Sequence, residues 1–315
     1  MTSTLEQLGW TAKLAESLMD PDVEPNSHPA RVIAEHRNGI VVDDGAHEQF
    51  IPSQGRWFHG AEDRRPIVGD WVLLSNKGDY IQRLLERKNK LQRASTRTAS
   101  AQAIASNIDI MFIVFSCENT FSESRLERYL ALGEVSRVEI AVVLTKIDLN
   151  RNYASYVERA RKVTFETPVF PVNALDISLL DEIVSLFVGT PTGIFVGTSG
   201  VGKSTLINTM IGSQVLHTQS VRIADSKGRH TTTSRNLIRL PFGGLAIDVP
   251  GTRELQLATR PAGLPLTFPD VEAAIESCRF ANCRHGSEPG CAVRDALESG
   301  DFDQRRLENY LSMAG

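Results

Sequence analysis

Gly197-Thr198-Ser199-Gly200-Val201-Gly202-Lys203-Ser204, followed by Thr205, is the stretch whose reading decides the fold. Its spacing is that of the phosphate-binding loop, G-x-x-x-x-G-K-[ST]. The apolar run Gly193–Val196 predicts a strand leading in, and Ser204–Met210 predicts a helix leading out. The glycines let the backbone wrap a polyphosphate, so that successive N–H groups and the helix N-terminus face it. In that setting Lys203 reaches the β- and γ-phosphates, and Ser204 ligates Mg²⁺. An ordinary glycine-rich turn has no need of a strand before it and a helix after it.

Outward from the loop, strands and helices alternate from about residue 104 to 258. Strands are expected at Asp109–Phe115, Ile140–Leu144, Val169–Val172 and Gly244–Ile247. Helices are expected at Ser124–Ser136, Tyr153–Thr164 and Ser178–Phe187. This pattern predicts a doubly wound α/β domain with a mostly parallel sheet, which binds ligands outside the carboxyl ends of its strands.

The other loops at those strand ends carry matching chemistry. Thr145-Lys146-Ile147-Asp148 resembles the guanine-specificity motif of GTPases, Asn-Lys-x-Asp. Asp148 is a double acceptor for the guanine N1–H and exocyclic amine. Adenine lacks that donor pair and would leave a carboxylate unpaired, at about 1–3 kcal/mol. The Lys146 stem can lie along the base. Thr145 keeps a hydroxyl where the motif has an amide, which predicts GTP selectivity with weaker binding. Asn173-Ala174 follows the next strand, where GTPases carry Ser-Ala. Asp248-Val-Pro-Gly251 matches the Asp-x-x-Gly switch II element: Asp248 holds Mg²⁺ through water and the Gly251 N–H meets the γ-phosphate. Gly228–Thr233 occupies the place of switch I, and of its three threonines Thr232 is the expected Mg²⁺ ligand. Thr252 stands where many GTPases have a water-orienting Gln. His230 is the nearest substitute, since an imidazole can position or polarise water.

The order of these pieces is unusual. The guanine motif at 145 and the Ala loop at 173 precede the phosphate loop at 197, with switch I at 228 and switch II at 248 behind it. That is a circular permutation of the ordinary GTPase order, and permuting at an exposed loop can preserve a fold.

Four units are expected: an arm over residues 1–29, a strand-rich domain over 30–98, the permuted GTPase domain over 99–258 and a terminal module over 259–315. The arm, ending in Asp20–Pro29, reads as loosely held. Residues 30–93 read as about five short strands, with Asn38-Gly39 a hairpin signal, and suit a small OB-fold barrel that binds nucleic acid. Trp57, Phe58 and Trp71 can stack on bases, although Trp71 reads as core. Arg83, Arg87, Lys88, Lys90, Arg93 and Arg97 stand against one acid, Glu86, and form either a phosphate-contacting run or a solvated linker. In the terminal module, Cys278-x4-Cys283-x-His285-x5-Cys291 provides three thiolates and an imidazole, a closed donor set for one structural Zn²⁺. Helices flank it at Phe268–Ser277 and Asp301–Met313. Cys117 stands apart from them.

The 315 residues carry a formal charge of −4, so no global polycation announces a nucleic-acid binder. Early charges at Glu6, Lys13, Glu16 and Asp20 argue against a secretory signal, and no apolar run reaches the ~18–20 residues of a membrane span. A cytoplasmic protein with no membrane partner is expected.

The ordered set is similar to the ribosome-small-subunit-dependent GTPases of the RsgA family. Val68-Gly-Asp-Trp-Val72, the permuted motifs, Gly228-Arg-His-Thr-Thr-Thr233 and the terminal Cys-x4-Cys-x-His-x5-Cys carry the resemblance, over about residues 30 to 315. It implies a monomeric late assembly factor that docks on the small ribosomal subunit and its rRNA, alongside other assembly factors. Such a factor hydrolyses GTP to GDP when the subunit stimulates it, and then leaves. Some related permuted GTPases carry a potassium-supporting Asn in the phosphate loop; Gly200 stands there, so no K⁺ site is expected. A GTP-binding RNA scaffold with little hydrolysis and a P-loop ATPase or kinase are the competing readings, and Asp148 argues against the latter.

Overall fold

The computed structural model describes residues 4–53, 57, 65–94, 101–118, 121–216, 235–249 and 264–314. Thirteen strands run β1 (His28–His36), β2 (Gly39–Asp43), β3 (Glu48–Pro52), β4 (Trp71–Leu74), β5 (Ile81–Leu84), β6 (Lys90–Ala94), β7 (Ala101–Ser106), β8 (Ile110–Ser116), β9 (Glu139–Thr145), β10 (Val169–Pro171), β11 (Thr192–Val196), β12 (Asn236–Arg239) and β13 (Leu245–Asp248).

The α/β half has strand order β10-β9-β8-β11-β13-β12. The first five are parallel to their neighbours, and β12 is antiparallel to β13. Alternate residues of the buried strands serve opposite faces, as a pleat with both faces covered requires. Met111, Ile113 and Phe115 enter one core, while Ile110, Phe112 and Val114 enter the other. Helices Glu123–Ser136, Tyr153–Thr164 and Lys203–Ile211 fall within a residue of the expected spans. The expected helix at 178–187 is only a 3-10 turn, Ile177–Leu179, and one short helix, Asp181–Ser185. Its buried apolar anchors are Leu180, Ile183 and Phe187, and only Ile183 falls within the short helix.

Strands β1 to β5 form an antiparallel array in the order β3-β2-β1-β4-β5. They enclose Ala30, Val32, Ile40, Val42, Ile51, Val72, Leu74 and Ile81. The β1–β2 turn consists of Arg37 and Asn38, because Gly39 already pairs with His36. Gly39 is needed for space rather than for its φ: a Cβ there would lie 2.3 Å from the Ile51 carbonyl oxygen. Trp71 is buried, as expected of a core residue, but it faces the GTP-loop domain rather than the strand array. With Ile33 and Leu73 it joins the same core as Ile113, Phe115 and Ile194.

Residues 4–29 are not the loose arm that their composition suggests. Leu8 is fully buried in the large core, and the Trp10 ring meets Trp71 edge-on at 4.8 Å. Arg31 fastens this junction from inside. Its guanidinium donates to the Leu8 carbonyl, to Gly69 O (3.3 Å), to Asn107 O (3.1 Å) and to Thr192 Oγ1 (2.9 Å). Burial pushes its pKa down to about 10, which still leaves it charged at neutral pH. Strands β6 and β7 pair with each other on either side of residues 95–100. Within the basic run, Arg83 pairs with Asp20 (2.6 Å), Arg87 with Asp70 (2.7 Å) and Lys88 with Asp109 (2.6 Å).

Candidate functional site

Five strand ends bring the motif loops to one edge of the sheet. The phosphate loop leaves β11 at Gly197, whose φ of +151° and tight fit exclude a side chain: a Cβ would lie 2.3 Å from the Val114 carbonyl oxygen on β8. Gly200 and Gly202 also have positive φ, and Gly202 caps helix Lys203–Ile211. Ser199 and Gly200 face solvent at the tip of the loop, whereas Val201 is buried. Thr205 is half-buried on the first turn of the helix.

Lys203 is only 6% exposed. Its Nζ donates to the carbonyls of Gly197 (2.8 Å) and Thr198 (3.0 Å). Burial pushes its pKa down to about 8, against the opposing attraction of Asp248. Asp248 ends β13, and its carboxyl is pushed up by burial, with Lys203 and the Ser204 hydroxyl acting in the other direction. Ser204 Oγ donates to Asp248 Oδ2 at 3.2 Å. Asp248 Oδ1 and Thr198 Oγ1 are buried with no hydrogen-bond partner among the described residues. A buried carboxylate oxygen left unpaired beside a serine hydroxyl is costly, and the pair of oxygen donors fits Mg²⁺ with its retained waters.

The Thr145–Asp148 loop is tied to this loop directly. Thr145 ends β9 fully buried, and its hydroxyl lies within hydrogen-bond distance of Phe115 O (3.1 Å) and Val201 O. A hydroxyl has one proton, so it donates to one carbonyl at a time. Lys146 takes a left-handed conformation (φ +60°), and its ammonium meets Glu118 at 2.7 Å, which holds that acid below the usual carboxylate range. Asp148 lies exposed on the 3-10 turn Ile147–Leu149, and its side chain makes no hydrogen bond among the described residues. Asn173 Oδ1 accepts from the Leu175 N–H at 3.0 Å. Ala174 is buried, and its carbonyl accepts from Thr209 Oγ1, on the phosphate-loop helix, at 2.6 Å. Of the predicted residues, Thr145, Ala174, the phosphate loop and Asp248 are thus directly linked. His230, Thr232 and Gly251 lie outside the described residues. Glu118 and Thr209 were not singled out by sequence, since neither belongs to a spaced motif.

The second cluster is Cys278, Cys283, His285 and Cys291, whose ligand atoms all lie within 4.8 Å of one another. His285 Nδ1 is 3.7 Å from Cys278 Sγ and 3.8 Å from Cys291 Sγ. Tetrahedral Zn–S and Zn–N bonds of about 2.3 and 2.1 Å put neighbouring ligand atoms about 3.6 Å apart, so the residues fit Zn²⁺. His285 has φ +61° in the short span between Cys283 and Cys291. The module is fastened to the α/β domain by its last helix, Gln304–Ala314. Glu127, fully buried on helix Glu123–Ser136, accepts from Arg305 (2.9 Å), Arg306 (2.8 Å) and Asn309 (2.5 Å). Arg306 also meets Asp270 at 2.7 Å and lies over the Phe268 ring.

The RsgA GTPase family model matches residues 84–258. The small ribosomal subunit biogenesis GTPase RsgA 2 of Vibrio vulnificus is 40% identical over 313 residues, 98% of this chain and 87% of that protein. Among solved structures, YloQ, described as a circularly permuted GTPase, aligns at TM-score 0.60 and 26% identity, over 92% of this chain and 94% of that one. YjeQ from Thermotoga maritima aligns at TM-score 0.63 and 24% identity, over 91% and 97%, and shares the fold. Matched by the family model over residues 84–258 and 40% identical to the Vibrio relative over 98% of its own length, this chain belongs to the RsgA GTPase family.

Proposed function

We propose that this chain is a GTPase that acts late in the maturation of the small ribosomal subunit, hydrolysing GTP to GDP and phosphate when docked on that subunit. The observation that carries the reading is the joining of three loops at one sheet edge: Thr145 to Val201, Thr209 to Ala174, and Ser204 to Asp248. A base-reading acid and a phosphate cradle held in one frame suit a guanine nucleotide, and family membership supplies the reaction. The name of the Vibrio relative supplies the ribosomal context.

In this reading Asp148 accepts from guanine, Lys146 lies along it, and the backbone of Asn173-Ala174 meets its carbonyl. Gly197 to Thr205 cradle the phosphates. Ser204, Thr232 and, through water, Asp248 hold Mg²⁺, which when bound neutralises charge on the β- and γ-phosphates. Lys203 gives up its two carbonyl partners and turns to the phosphates, Gly251 reports the γ-phosphate, and His230 positions water. The terminal cluster holds one structural Zn²⁺.

Strands β1–β5 read as an OB-fold within residues 30–98, following an arm at 1–29 and preceding GTPase and zinc domains at 99–258 and 259–315. They are the rRNA-binding part. Phe50 is 46% exposed beside His36, with ring centroids 6.2 Å apart, and Arg37 is exposed in the adjoining turn. Aromatic rings and cations so placed suit unpaired bases and phosphates. No helix among the described residues is long and apolar enough to cross a membrane. The protein acts as a cytoplasmic monomer.

Phosphate release measured in buffer, with large subunits and with small subunits tests the reading. Small subunits alone should raise turnover by at least about tenfold, well within the ~10³–10⁵ that completing a GTPase site can supply; equal rates in all three would reject it. His230→Ala should lower the stimulated rate with GTP affinity intact.

A further inference from the structure

Strand β12 occupies an unusual place. It pairs with β13 along its whole length, Asn236 to Asp248 through Arg239 to Leu245, but meets β1 at one position, Ala34 with Asn236. Ala34, Asn236 and Asp248 therefore form one row across three strands, about 10 Å from the N-terminal array to the Asp248 backbone. One bridge is a weak hold, and two arginines supplement it. Arg235 reaches Glu35 on β1 (3.3 Å) and the carbonyl of Ala103 on β7 (3.4 Å). Arg239 reaches Asp43 on β2 (2.5 Å). Both acids are themselves fixed by backbone: Glu35 accepts from the Val68 N–H (3.2 Å), and Asp43 from the Gly45 N–H (2.8 Å).

We infer that β12 is a strap that carries the position of strands β1–β5 into the Asp248 site, with Arg235 and Arg239 as its positioning residues. Two features separate this from a merely structural role. The junction between the two halves is already held by apolar packing of Ile33, Trp71 and Leu73 and by buried Arg31. Arg239 is 40% exposed, and its partner Asp43, only 6% exposed, keeps its hydrogen bond from the Gly45 N–H when that arginine is replaced; Glu35, 30% exposed, likewise keeps the Val68 N–H. Their placement also matters: Arg235 directly precedes β12, following the sequence that holds Thr232, and Asn236 faces Asp248. A rigid row between an RNA-facing array and a magnesium-holding carboxylate lets one bias the other, which is what a coupling free energy requires. The inference rests on the subunit-stimulated reading above.

The test uses the full chain with Arg235→Gln and Arg239→Gln combined, and reads four quantities: affinity for a fluorescent GTP analogue, turnover in buffer, affinity for small subunits, and turnover with subunits saturating. The first three should stay within about twofold of wild type and the fourth should fall about tenfold, the usual size of a coupling between sites. Arg235→Lys with Arg239→Lys, which keeps both charges, should recover most of the loss. If the double variant does not fold, each single Gln variant should lose about threefold by the same coupling. Stimulated turnover within about twofold of wild type, or a loss explained by weaker subunit binding, would overturn the strap. A wild-type chain that small subunits do not stimulate would remove the ribosome-gated reading itself, and the strap's role with it.

Discussion

In the proposed reading one carboxylate, Asp148, carries the base specificity. It is exposed on a short turn whose strand, β9, is anchored by buried Thr145, so the acceptor is fixed while its partners remain open. Asp148→Asn replaces one acceptor by an amide donor. GTP affinity should fall about ten- to hundredfold, since about 1–3 kcal/mol attends each mispaired polar group, and xanthosine triphosphate, with a carbonyl in place of the amine, should gain. Competition binding with the two nucleotides checks this, and unchanged preference would reject the assignment. Cysteine chemistry separates the four thiols in the same way. Burial pushes Cys117 up to about 11, so at pH 8 about one molecule in a thousand carries the reactive thiolate, a fraction that climbs about tenfold per pH unit and levels off above pH 11. Alkylation followed by mass spectrometry should find Cys278, Cys283 and Cys291 protected in zinc-loaded protein and labelled after chelation, with Cys117 labelled only on unfolding. Fast labelling of Cys117 in folded protein would contradict its burial. Motif residues were legible because phosphate, guanine and zinc dictate residue types at fixed spacings. Glu118 and Glu127 were not, because a single acid acquires its role only when distant arginines or lysines fold against it.

At the level of elements, the C-terminal module stands on Glu127. Its carboxylate is fully buried and compensates two arginines of the last helix. Glu127→Ala removes the carboxylate that Arg305 and Arg306 share and leaves Arg306 with Asp270 alone, and removing one member of a buried charge network costs about 3–5 kcal/mol. Urea unfolding should show that loss, whereas a change below about 1 kcal/mol would mean that the helix is held by its apolar face. Long, periodic elements were legible to within a residue, as Tyr153–Thr164 illustrates. Short ones were not. Leu5, Leu8 and Trp10 are too few to show a period, yet they dock the N-terminal segment on Trp71. Helix Ala292–Ser299 and strand β12 likewise went unread, each being eight residues or fewer.

For the whole molecule, the permuted order has a mechanical result. Strand β13 bears Asp248, and the C-terminal module is clamped to helix Glu123–Ser136 through Arg306 and Glu127. On the other side, β12 joins the same site to strands β1–β5. The sequence revealed the order of the motifs, but the sharing of one core by the N-terminal strands and the α/β sheet appears only in three dimensions. If small-subunit docking favours the GTP-loaded arrangement, linkage demands that GTP favour docking by the same factor. The most direct measurement is therefore co-sedimentation of the full chain with purified small subunits, saturated with a non-hydrolysable GTP analogue or with GDP. The account predicts binding at least about tenfold tighter in the GTP state; equal affinity in the two states would contradict it.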